Sequence, residues 1–131
     1  MRVELMNIEK LEKLYFATVY EIENADDAND LLKRVSKSLF LLLRLVYVRK
    51  AEISRSLGRE ITRFFYEEEN IEDKVQRLSK IVSLMRYEAV TTNFPYIDFY
   101  MQNFVSEMDR LMMTKGYKFF LTSDRKTKTI Q

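Results

Sequence analysis

Arg55, Arg59 and Arg63 recur every four residues, a spacing that stacks side chains along one face of a helix. A row of guanidinium groups suits backbone phosphates, because each is permanently charged and donates in a plane while reading no base sequence. The three arginines belong to a wider basic segment. Residues 33–63 hold nine Lys or Arg against two carboxylates, Glu52 and Glu60, whereas residues 1–32 hold three basic and eight acidic side chains. Residues 64–131 balance at ten of each, and the whole chain carries a formal charge of +2. Two outcomes are open: the acidic first arm neutralises the basic segment within the fold, or the basic face stays exposed and attracts phosphate or an acidic partner.

Catalysis has few of its usual actors. With no cysteine and no histidine, disulfides, thiolate zinc sites and the commonest general base are excluded. Carboxylates cluster at Asp26, Asp27 and Asp30 and again across residues 67–73, where oxygen ligands would suit magnesium or calcium. Neither cluster has calcium-loop spacing, and both fall where a helix entrance favours negative charge. The aromatic set Phe94, Tyr96, Phe99, Tyr100 and Phe104 offers ring faces for stacking on bases, but core and interface packing is its expected use. The expectation is a non-enzymatic protein that needs no metal and no cofactor.

The elements that position these residues are helical. At 131 residues, 47% hydrophobic, with two glycines and one proline, the chain suits one all-α domain with long helices. The pattern predicts a four-helix bundle over residues 1–122 and a flexible basic tail over 123–131. A first helix is expected from Asn7 to about Asn24, with Ile8, Leu11, Tyr15 and Ile22 inward. Asp26, Asp27 and Asp30 would cap a long second helix whose seam reads Leu32, Val35, Leu39, Leu42, Val46, Ile53 and Leu57, about 45 Å long. Gly58 either ends or bends it. A third helix starts after Asn70 and stops before Pro95, and a fourth opens on Pro95 and closes at Gly116. Beyond it, residues 117–121 alternate as a short extended segment would.

Leu41, Leu45 and Val48 fall on the side of the second helix opposite its seam, flanking Arg44. On an outward face they would form an exposed apolar patch and hence a contact for another copy of the chain, whereas a central helix surrounded by its own neighbours would bury them. No segment reaches the roughly twenty apolar residues that cross a bilayer, and residues 1–7 lack the pattern of a secretory leader, so synthesis and retention in the cytosol are expected.

The segment Ser38-Leu39-Phe40-Leu41-Leu42-Leu43-Arg44-Leu45-Val46-Tyr47-Val48-Arg49-Lys50, the start Asn93-Phe94-Pro95-Tyr96 of the last helix, the chain length and the absence of Cys and His together resemble the small all-helical structural proteins of large spindle-shaped archaeal viruses, the coat protein of the two-tailed bicaudavirus type. The resemblance is global, covers residues 1 to about 120 and rests on no short signature. It implies a virion component made in the host cytoplasm that packs as a helical bundle, assembles with itself into a shell and contacts the double-stranded DNA genome. It supplies no catalytic residues. The alternative reading is a small helical accessory subunit of a nucleic-acid-binding effector or replication complex. A metal-dependent enzyme built on the carboxylates is a third, and requires divalent-ion binding.

Overall fold

The computed structural model describes the backbone of residues 2–116 and the side chains of residues 8–116. Five α-helices run α1 Arg2–Tyr20, α2 Ala28–Val48, α3 Arg55–Tyr66, α4 Ile71–Thr91 and α5 Pro95–Lys115, with a 3-10 turn at Glu21–Asn24. There is no strand among the described residues. The extended segment expected at residues 117–121 and the tail at 123–131 lie outside them.

Local chemistry sets most of the limits. Asp27 Oδ1 accepts from the Asp30 N–H at 2.8 Å, and Asp30 Oδ2 accepts from the Asp26 N–H at 3.0 Å, a reciprocal cap on α2. The acidic run before α2 is therefore a helix entrance. Asn70 caps α4 through the Asp73 N–H at 2.8 Å. Pro95 occupies the first turn of α5, where its missing N–H costs nothing, and Gly116 closes that helix at φ 76°. The first helix begins at Arg2 rather than Asn7, since the helix-forming residues before Asn7 give it no reason to stop.

The long second helix is two helices. It breaks at residues 49–54 and not at Gly58, which lies inside α3. The Lys50 N–H donates to the Tyr47 carbonyl and the Ala51 N–H to the Val46 carbonyl, both at 3.0 Å, while Lys50 takes φ 56°. That pair of bonds around a left-handed residue is a Schellman stop, made here by lysine where glycine is usual. Arg49, at the helix end, is drawn off laterally: Nη2 meets Glu12 Oε2 at 2.7 Å, Nε donates to the Tyr100 hydroxyl at 3.0 Å, and the guanidinium lies 3.6 Å from the Tyr96 ring centre. Tyr100 also donates to Glu12, and the buried Tyr15 hydroxyl donates to the Tyr100 carbonyl at 2.7 Å. Burial, then the hydrogen bond to Glu12, pushes the Tyr100 hydroxyl up to about 12.

α1 packs along α2, α4 along α5, and α3 lies on α4. One hydrophobic cluster joins them, with Tyr15 and Val19 of α1, Leu39 and Leu42 of α2, Ile61 and Phe64 of α3, Met85 of α4, and Met101 and Phe104 of α5. α2 also contacts α3, α4 and the 3-10 turn. This overturns the exposed patch. Leu41 and Leu45 are buried in the chain's own core, and Val48 is half-buried against it. At about 100° per residue the buried side chains of α2 sweep about half its circumference, from Leu41 round to Leu32. Leu41 and Leu45 lie well round from the seam but still within that arc, and Val48 lies at its edge, so neighbouring helices cover them.

Candidate nucleic-acid interface

α3 separates its two faces cleanly. Leu57, Glu60, Ile61 and Phe64 are buried, while Arg55, Arg59, Thr62, Arg63 and Tyr66 are exposed. The helix is anchored at its start, where the Ser54 side chain accepts from the Leu57 N–H at 3.2 Å and Glu88 of α4 accepts from the Ser54 N–H at 2.7 Å. Both contacts fix the direction in which the arginine face points.

The one carboxylate within α3 points away from that face. Glu60 meets Arg77 Nη1 at 2.7 Å and Lys80 Nζ at 3.3 Å, both from α4. Burial alone would raise its pKa, yet the hydrogen bonds from Lys80 and Arg77 hold it below the usual carboxylate range. Arg77 is itself shared with Glu69 at 2.8 Å and Glu67 at 3.1 Å. The acidic run before α4 is thus engaged by an arginine. No group of three or more acidic, Cys or His side chains suited to a metal ion occurs among the described residues.

The arginine row is not uniform. Arg63 Nε lies 3.6 Å from Glu67 Oε1. Arg55 and Arg59 are exposed and have no ion pair among the described residues. Among the described residues the acidic first arm forms ion pairs with Arg34, through Asp30 at 3.2 Å and Glu21 at 3.4 Å, and with Arg49, through Glu12, and the charge of Lys33 also acts on Asp30. Lys33, Lys37, Arg44 and Lys50 remain exposed, with no carboxylate at ion-pair distance among the described residues.

Two functional candidates escaped the sequence reading. Phe40 and Tyr47 of α2 are 55% and 82% exposed, and a helical wheel places them in line with Lys33, Lys37 and Arg44. Spacing alone carries that alignment, but the longer apolar seam and its flank are the stronger signal and mask it. Of the aromatic set on α5, Tyr100 and Phe104 are buried, and Phe99 stacks edge-on with Phe16 at 5.5 Å. These rings pack, as expected of them.

A groove of about 490 Å³ runs between α4 and α5 past Val75, Val82 and Met108, and Arg86 spans it to Asp109 at 2.7 Å. No helix among the described residues is long and apolar enough to cross a membrane. No family model, curated protein or solved structure matches the chain.

Proposed function

We propose that the chain is a non-enzymatic structural protein of the virion coat type, which assembles with itself and holds double-stranded DNA by phosphate contacts through Arg55 and Arg59, with Arg63 at the end of the row. One observation carries the nucleic-acid part of this reading. Five of the nine cations between residues 33 and 63, Lys37, Arg44, Lys50, Arg55 and Arg59, stay exposed without a carboxylate partner among the described residues, although eight acidic side chains precede them in the chain. A fold that needed these charges only for internal pairing would have used those carboxylates.

The frame is four long helices, α1, α2, α4 and α5, and the short α3 presents the arginines. Self-assembly is supported by the resemblance of the whole chain and by large exposed apolar side chains, among them Tyr87, Val90, Phe99 and Met113, of the kind that mark contact surfaces. Leu41 and Leu45, being sealed in the core, take no part in it. Electron microscopy of the purified protein, alone and with duplex DNA, tests the reading. Large ordered homo-oligomers are expected, together with DNA affinity that falls steeply with salt. A small, salt-indifferent particle would sink it, and a small particle that binds DNA would favour an accessory subunit.

A further inference from the structure

Two features of α2 coincide on one stripe. Lys33, Lys37, Phe40, Arg44 and Tyr47 fall within about 80° of one another around the helix, and all five are exposed. The stripe carries no acidic side chain, and none of its cations has an ion pair among the described residues. Single exposed apolar residues are ordinary and call for no account. Two large rings one heptad apart, with cations before, between and beside them, are a different pattern.

From Lys33 to Tyr47 the stripe runs about 21 Å, and the two rings are about 10 Å apart along the axis. An apolar partner helix would cover the rings but leave Lys37 and Arg44 to desolvate without counter-charge, since Asp30, the carboxylate that acts on the stripe, lies by Lys33. A second copy of the same stripe would meet it with like charge. A nucleic-acid single strand matches both features, since its phosphates form a row of anions and its bases are free planar faces that stack on aromatic rings. Duplex DNA shows its phosphates but keeps its base faces internal, so it would use the cations and leave Phe40 and Tyr47 idle.

We infer that the outward stripe of α2 is a second nucleic-acid site, distinct from the arginine row on α3, and that it takes single-stranded nucleic acid with bases stacked on Phe40 and Tyr47. Lys33, Lys37 and Arg44 hold the phosphates between and beside those bases. The site reads no sequence, because every base has a face to stack.

The test uses the full chain and a short fluorescein-labelled oligothymidylate, followed by anisotropy at low and moderate salt. Phe40→Ala and Tyr47→Ala should each weaken binding about tenfold, while Tyr47→Phe keeps it. Both positions are exposed, and circular dichroism should show an unchanged fold. The chain contains no tryptophan, so Phe40→Trp supplies a single reporter whose emission should be quenched when the oligonucleotide binds. Arg55→Gln with Arg59→Gln should lower duplex affinity and leave oligothymidylate affinity unchanged, which separates the failure of one site from failure of the other. The inference is overturned by ring removal that leaves binding intact, by unquenched tryptophan, by absence of binding at low salt, or by equal displacement with polyglutamate. Loss of oligomer mass in the ring variants, with oligonucleotide affinity retained, would assign the stripe to self-contact instead.

Discussion

Arg77 of α4 donates through Nη1 to Oε1 of Glu60 on α3 at 2.7 Å, and this contact decides what α3 shows to solvent. The Glu60 side chain is only 6% exposed, so its charge is spent inside the molecule, between two helices, and not on the arginines along the outer face. The same guanidinium holds Glu69 and Glu67. One cation therefore ties the start of α4 to the underside of α3 and keeps carboxylates from Arg55 and Arg59.

Arg77→Met should accordingly destabilise the fold by about 1 to 3 kcal/mol, because it leaves the buried Glu60 carboxylate with Lys80 alone. Glu60→Gln should cost less, since a neutral amide tolerates the site. Denaturant titration of both variants checks the order. The pH dependence comes from the lowered pKa values of Glu60 and Glu69. Their unfolded forms bind protons near the usual 4.5 while the folded forms do not, so this stability is present above that value and is lost as pH falls through the folded pKa.

Glu107 should behave in the opposite sense. Burial raises its pKa against the nearby Arg110, and its Oε2 is buried without a hydrogen-bond partner among the described residues. The folded chain then holds a proton that the unfolded chain has released. Its contribution is fully present below the unfolded value near 4.5 and is lost as pH rises through the folded pKa. Glu107→Gln should raise the melting temperature at neutral pH, with a gain over the native protein that shrinks on acidification. A gain that is constant with pH would mean that the carboxyl does not titrate differently in the two states.

Lys50→Gly should stabilise the protein by about 1 kcal/mol, because lysine occupies a left-handed conformation that glycine adopts without a Cβ clash. Gly58→Ala should also stabilise, by about 0.5 to 1 kcal/mol, since Gly58 sits inside α3 and an added Cβ would meet only Ile53 at an ordinary 3.8 Å. Thermal melts of the two variants read out the position of the helix break. If Gly58 were the hinge, its replacement by alanine would be the harmful one.

These two positions show where the sequence stops being informative. The limits of α4 and α5 were legible because Asn70, Pro95 and Gly116 act on their own neighbours, through a side-chain cap, a fixed φ and a free one. The break before α3 was not. Its stop is a lysine in an unusual conformation, and the residues on either side of that lysine, Arg49 and Ser54, are held by Glu12, Tyr100 and Glu88, which only the finished fold brings near. Leu41 and Leu45 failed for a related reason: a wheel gives the angle of a side chain from the seam, but the width of the buried arc depends on how many helices surround α2. The basic row on α3 was legible in its spacing, yet which of its arginines would be left unpaired depended on where Glu60 and Glu67 turned.

That last dependence gives the sharpest prediction for the arginine row. If Arg55, Arg59 and Arg63 contacted phosphate equally, each substitution to glutamine would flatten the salt dependence of duplex binding by the same amount, about 0.9 in the logarithmic slope per phosphate lost. The structure breaks that symmetry, because Arg63 already lies 3.6 Å from Glu67 whereas Arg55 and Arg59 have no carboxylate partner among the described residues. Arg55→Gln and Arg59→Gln should therefore each lower the slope by close to one, and Arg63→Gln by clearly less. Glu67→Gln should in turn raise affinity by releasing Arg63, although it also removes one of the carboxylates around Arg77. Isothermal titration across a salt series measures all four. An Arg63 effect as large as the others would show that the ion pair with Glu67 opens on binding, and no effect from Arg55 or Arg59 would remove α3 from the interface.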